Sequence, residues 1–187
     1  KTCMFLENDA SFVASAGSTA ESLLCVLDGE YVSLTGSYDP RVRSISEQEC
    51  MFRGNDVVRT GIRIEKSGRV HLDRISVTGC VDAGISITGR GHEQYDHAIS
   101  LTRSVISDCQ GDGVRVRQSP ACIVLDSRVA SVAKAALVID SPSSVVANTL
   151  CGDSGAGIVM SSSDGILTRN QVLRNGIGIY LKDHSEI

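Results

Sequence analysis

Apolar residues alternate with polar or small ones in short bursts that return at a nearly constant interval down the chain. A small residue followed by alternating apolar positions recurs as Gly61-Ile62-Arg63-Ile64, Gly84-Ile85-Ser86-Ile87 and Gly113-Val114-Arg115-Val116. The pattern returns as Ala136-Leu137-Val138-Ile139, Gly157-Ile158-Val159-Met160 and Gly178-Ile179-Tyr180-Leu181. Successive intervals are 23, 29, 23, 21 and 21 residues. The excess in the second interval coincides with the polar stretch Gly89 to Asp96. A second apolar segment follows the first in most coils, as Val70-His71-Leu72, Ile99-Ser100-Leu101, Ile123-Val124-Leu125, Val145-Val146-Ala147 and Ile166-Leu167-Thr168. Ile75-Ser76-Val77 and Gln171-Val172-Leu173 mark a third.

Three strands of three to five residues, joined by turns, fill about 21 residues and leave no room for a helix, which sets the pattern apart from leucine-rich and helical repeats. One such coil cannot bury its inward Val and Ile residues alone. Stacked coils share ladder hydrogen bonds at about 4.8 Å and close a continuous apolar interior. The prediction is an all-β, right-handed parallel β-helix, a solenoid of coils of about 21–23 residues. Glycine ahead of most first strands suits a tight corner with positive φ. Pro120 and Pro142 fall between strands, where a missing N–H does little harm.

Regular coils are expected over 61–187, after an irregular N-terminal region or cap over 1–60. Within the latter, Leu23 to Leu27 and Tyr31 to Leu34 read as strands around Asp28-Gly29, Cys50-Met51-Phe52 as another strand, and Tyr38 to Arg41 as a polar loop. Ser11 to Ser22, rich in Ala and Ser, suits a short capping helix or an irregular coil. The chain opens at Lys1 and its last motif is cut off soon after Tyr180, so continuation of the protein or end-to-end contact through an uncapped end is expected.

Stacking turns the outward positions of the first strands into a surface ladder. Its rungs are Arg63 and Glu65, Ser86 and Thr88, Arg115 and Arg117, Val138 and Asp140, Val159 and Ser161, then Tyr180 and Lys182. The insertion leaves the second rung and should overhang the same face with Arg90, His92, Glu93, Tyr95 and Asp96, and His97 just after. Here alone do titratable groups of several types converge. Arg63, Arg115 and Arg117 suit forked hydrogen bonds to carboxylates or sulfates. His92 or His97 would serve as a base and Tyr95 as a proton donor in a catalytic reading. Elsewhere His71 is expected outward and structural, and Asp108, Asp112, Asp153 and Asp164 are expected to bond backbone N–H groups at turns. Asn170 and Asn175 look like remnants of an internal polar ladder.

Composition narrows the partners. A net charge of −4 opposes bulk electrostatic binding to nucleic acid or to an anionic membrane, so any basic site must be local. No apolar run has the length of a membrane span. The chain has no Trp, four Tyr and three Phe, which disfavours aromatic platforms for sugars. Its seven Cys are widely spread, without zinc-ligand spacing, and read as buried thiols in a reducing, intracellular compartment; secretion with paired cysteines is the alternative. Cys80 and Cys109 each stand four residues before a motif glycine and are expected to stack as two thiols. Neither a metal site nor a cofactor motif is present in the sequence.

The coil pattern from Gly61 to Lys182 resembles the pectate-lyase-like parallel β-helix superfamily. Within it, His92-Glu93-Gln94 followed by Ile99 to Arg103 is similar to the active-site segment of bacterial mannuronan C5-epimerases, whose Asp-Pro-His-Glu motif is flanked by Tyr and Asp partners. Arg90-Gly91 stands where that motif has Asp-Pro, and Arg117 occupies a rung where those enzymes carry a carboxylate; His92 and Glu93 alone match by position. In composition the chain resembles the β-helix domains of intracellular eukaryotic adaptors, among them F-box and Shc-binding spindle-associated proteins, which recognise partners. The expectation is a non-catalytic module that binds an extended protein segment or anionic polysaccharide along the first-strand face. A polysaccharide lyase or C5-epimerase is the competing expectation.

Overall fold

The computed structural model describes residues 5–7, 13–15, 20–27, 31–35, 50–89, 98–161 and 164–182. Among these the chain is strand and turn without a helix, wound as parallel coils about 23 residues apart. Every recorded strand pairing is parallel, because each strand lies on its equivalent one coil away.

The second strands form one sheet. It runs β1 (Phe5–Glu7), β4 (Tyr31–Thr35), β6 (Arg69–Asp73), β8 (Ala98–Thr102), β11 (Ala121–Leu125), β14 (Ser143–Ala147) and β17 (Ile166–Thr168). First and third strands belong to a larger sheet, continuous through the long bent strands β5 (Cys50–Ser67) and β7 (Ile75–Gly89). First strands are the distal halves of β5 and β7, then β10 (Asp112–Arg117), β13 (Ala135–Asp140), β16 (Ala156–Ser161) and β19 (Ile177–Leu181). Third strands are the proximal part of β7, then β9 (Val105–Cys109), β12 (Arg128–Val132), β15 (Leu150–Gly152) and β18 (Gln171–Leu173).

Parallel pairing begins well before residue 61. β2 (Val13–Ser15) and β3 (Ala20–Leu27) both pair with β5, in register from Val13↔Met51 to Leu27↔Glu65. The Ser11 to Ser22 segment therefore contributes strands at 13–15 and from residue 20 onward, where a helix was one of the two expectations. Ala favours a helix in isolation, but tertiary context overrides that weak preference once a neighbouring strand supplies hydrogen bonds. The Tyr38 to Arg41 loop lies outside the described residues.

Inward side chains pile into columns. Ile62, Ile85, Val114, Leu137 and Ile158 form one, and Ile64, Ile87, Val116, Ile139 and Met160 the next; all are buried. Val77, Ile106, Val129 and Cys151 face them from the third strands. At the last coil the columns run out: Ile177, Ile179 and Leu181 are exposed.

The motif glycines serve space rather than handedness. Among the described glycines only Gly79 has positive φ. A Cβ at Gly61 would lie 2.5 Å from Val77 Cγ1, one at Gly84 2.6 Å from Ile106 Cγ2, and one at Gly113 2.2 Å from Val129 Cγ1. The first strand thus enters the cylinder against the third strand of the same coil, at a separation that only glycine allows. Positive φ falls instead on ordinary residues. Arg74, Arg103, Asp126, Asn148 and Arg169, with φ between 49° and 53°, stack as one corner. Each such residue costs of order 1 kcal/mol in isolation. Here the ladder continues through the bend: the N–H groups of Arg74, Arg103, Asp126 and Asn148 each donate to a carbonyl of the next coil at 3.1–3.2 Å.

Just past this corner runs a polar column inside the wall. Ser104 Oγ accepts from Ile75 N at 3.1 Å, Ser127 Oγ from Ser104 N at 3.2 Å, and Asn170 Oδ1 from Thr149 N at 3.0 Å. Asn170 is therefore one rung of a ladder that other coils fill with Ser and Thr, and Asn175 caps Ser154 N in the same way at the neighbouring corner. Cys80, Cys109, Cys122 and Cys151 are buried free thiols, whereas Cys25 is exposed. The thiols of Cys80 and Cys109 donate to Thr78 O and Ser107 O; the neighbouring Cys109 and burial push the Cys80 thiol up, and burial pushes Cys122 and Cys151 up to about 12.

Candidate functional site

The first-strand face carries two outward columns. Cys25, Arg63, Ser86, Arg115, Val138, Val159 and Tyr180 stand in register along one. Leu27, Glu65, Thr88, Arg117, Asp140 and Ser161 form the other, and Lys182 extends it where its N–H donates to Met160 O. Ser86 and Thr88 are short residues between the taller Arg63/Glu65 and Arg115/Arg117 rungs. The step in side-chain length leaves a cleft of about 310 Å³, lined by Glu21, Arg59, Thr60, Arg63, Glu65, Asp82, Ser86, Thr88, Arg115 and Arg117. All ten lining residues are charged or hydroxyl-bearing, and none is aromatic.

Two of the three expected anion forks are already occupied. Arg63 reaches Glu65 Oε1 with Nε at 2.8 Å and Nη2 at 2.6 Å, and the bond raises its pKa. Arg115 donates to Asp112 Oδ2 from Nε at 3.0 Å and from Nη2 at 2.6 Å, with Asp82 Oδ1 a further 3.5 Å from Nη2. Burial opposes the Arg115 charge, but the bonds and charges of Asp112 and Asp82 outweigh it and raise its pKa. Asp112 is fixed in turn, because its Oδ1 accepts from Ala135 N at 3.1 Å across the coil boundary. Arg117 is different: it is exposed, and no ion pair or hydrogen bond engages its side chain among the described residues.

Glu21, Arg59, Asp82 and Asp112 were absent from the residues that the sequence singled out for the site. Asp112 carried a signal. It immediately precedes a motif glycine, where the other coils have Thr60, Ala83, Ala135 and Ala156, so a carboxylate at the start of one strand was visible on aligning the repeats. Glu21 and Arg59 lie before the regular motif and had none. Asp140, Tyr180 and Lys182 occupy the ladder positions expected of them but do not line the cleft, since Val138 and Val159 separate Tyr180 from Arg115. Arg90, His92, Glu93, Tyr95, Asp96 and His97 lie outside the described residues. Gly89, which leads into them, ends the strand whose Ser86 and Thr88 floor the cleft.

On the second-strand sheet, half-buried His71 holds Ser100 Oγ at 2.8 Å through Nδ1. Beside it, buried Asp73 receives Thr102 Oγ1 at 2.6 Å, Arg103 Nε at 2.8 Å and Nη2 at 2.6 Å, and Arg74 Nη2 at 3.1 Å.

Parallel coils in register and a corner stack of left-handed residues define a β-solenoid, with a polar cleft on its first-strand sheet. The chain belongs to the family described as right-handed β-helix region, which it matches over residues 32–187. No curated protein and no solved structure matches it.

Proposed function

We propose that this protein is a recognition module without catalytic activity, whose first-strand cleft receives an extended ligand with Arg117 as the principal charged contact. The carrying observation is the contrast among the three arginines. Arg63 and Arg115 are held by carboxylates at 2.6 Å, whereas Arg117 has no partner among the described residues. An anion that approached Arg63 or Arg115 would have to displace a carboxylate already bonded there, so the net gain would be small. At Arg117 the fork is open, and a bidentate contact adds its full charge-assisted bonding. The pinned pairs then act as walls of fixed shape, which reduces the ordering cost of binding. Within the described lining, hydroxyls, carboxylates and guanidiniums bind and orient. Burial of four thiols within the solenoid supports a reducing compartment.

Binding of fluorescently labelled polygalacturonate, alginate and a pooled library of extended peptides tests the reading, with wild type compared against Arg117→Ala. Binding of at least one probe should weaken about tenfold in the variant, equivalent to about 1.4 kcal/mol. The uronate polymers should yield no ultraviolet-absorbing or epimerised product. A probe bound equally well by both proteins, or turnover of either polymer, contradicts the proposal.

A further inference from the structure

The cleft is bipolar, and that decides between the chemistries an extended ligand could have. Its four arginines are accompanied by three lining carboxylates, with Asp112 a fourth held against Arg115. The carboxylates are not equally engaged. Glu65 and Asp112 are held at 2.6 Å, whereas Glu21 lies 3.6 Å from Arg59 and 3.9 Å from Arg63, and Asp82 lies 3.5 Å from Arg115. Asp82 can turn towards a ligand cation while Arg115 keeps its bonds to Asp112. Glu21 is largely exposed and equally loosely held.

These loose carboxylates share one rim. Asp82 precedes Ala83, which pairs with Asp112 at the start of β10, and Glu21 lies between Ala20 and Ser22, whose partners are Val58 and Thr60. Arg117 stands at the opposite rim, five residues beyond Asp112 on the same strand. Asp82 lies one position before that pair, so at about 3.3 Å per residue the two rims are six residues, about 20 Å, apart along the strand direction. One edge therefore offers acceptors to a cation, and the other offers an open guanidinium to an anion.

We infer that the occupant of this cleft is an extended protein segment carrying a basic residue and an acidic residue about four positions apart, the first against Asp82 and Glu21 and the second against Arg117. The inference rests on the recognition reading above and specifies its ligand. In an extended chain, residues i and i+4 share a face and are separated by about 13 Å, and the reach of the Lys and Arg side chains closes the remainder. A polyuronate fits poorly, because it bears a carboxylate on every sugar. Its first charge could sit at Arg117, but the next ones would face Glu65, Asp82 or Asp140 as like charges. The described lining also has no aromatic face for a sugar ring.

The test measures fluorescence anisotropy of labelled, proline-bearing dodecapeptides with wild-type protein and with Arg117→Glu. One peptide carries Lys and Glu four positions apart, a second carries them adjacent, a third carries Lys at both positions, and labelled polygalacturonate is the fourth probe. The spaced Lys/Glu peptide should bind wild type at least tenfold more tightly than the adjacent one. Arg117→Glu should weaken it at least tenfold and should bind the doubly Lys peptide more tightly than wild type does. Circular dichroism should be unchanged, since Arg117 faces solvent. If polygalacturonate binds best and is lost in Arg117→Glu, the peptide inference is overturned while recognition through Arg117 stands. If none of the four probes binds, or none responds to Arg117→Glu, both fail.

Discussion

Gly111→Ala is expected to lower the free energy of unfolding by about 3 kcal/mol, the upper part of the range for forced overpacking. A Cβ built on Gly111 would lie 1.7 Å from Asp82 O and 2.5 Å from Asp82 C. Both are backbone atoms of the previous coil, so no side chain can rotate away. The coils must separate at a corner where Gln110 N donates to Cys80 O at 2.8 Å and Lys134 N donates to Gly111 O at 3.1 Å. Gly178→Ala is the internal control. Its Cβ would meet only Val172 Cγ1, at 3.9 Å, and the change should stay within about 0.5 kcal/mol. Urea unfolding of the two variants beside wild type measures the difference. Equal stabilities would show that the coils are not packed as closely as described.

The second large effect belongs to Asp73. Burial works against its charge, but Arg103, Thr102 and Arg74 together hold its carboxyl below the ordinary value of 3.8. The native state therefore binds fewer protons than the unfolded chain as pH falls through this range. The stabilisation is fully present above the unfolded value and is lost as the pH drops through the lower folded one. Asp73→Asn should cost about 2 kcal/mol at neutral pH, through loss of hydrogen bonds to charged donors. Arg103 is half exposed and recovers water, which keeps the loss below that of a fully buried pair. Between pH 5 and about 3 the variant should lose less stability than wild type does. A parallel decline in the two proteins would show that Asp73 is not ionised and paired in the native state.

Much of the architecture was legible because period and alternation are long-range signals. The six motif segments lie in register at the spacing the sequence predicts, from Ile62↔Ile85 to Ile158↔Ile179. The corners were not legible, because their left-handed residues include three arginines, a type with no local preference for that conformation; the fit comes from a hydrogen bond to the next coil. Conversely, the motif glycines were visible, but their reason was not. It lies in Val77, Ile106 and Val129, each in the third strand of the same coil, 16 to 22 residues later in sequence. At the site, the columns of Arg63, Ser86 and Arg115 followed from strand alternation alone. What alternation cannot show is which arginine is engaged. Asp112 and Asp82 stand where the strand begins, off the outward ladder, and only the bend of the chain there brings them within reach of Arg115.

Every residue assigned to the cleft depends on neighbouring coils meeting rung against rung, and thiol cross-linking reads that alignment directly. In a Cys25→Ser background, Ser86→Cys with Arg115→Cys places two thiols on paired positions about 4.8 Å apart between Cα atoms, within bridging range. Ser86→Cys with Arg117→Cys sets them diagonally at roughly 8 Å, beyond it. After mild oxidation, peptide mapping by mass spectrometry should find a disulfide joining the first pair and free thiols in the second. Cross-linking of the diagonal pair with the paired positions left reduced would mean a shifted register, and the cleft built from Arg63, Thr88 and Arg117 would not exist.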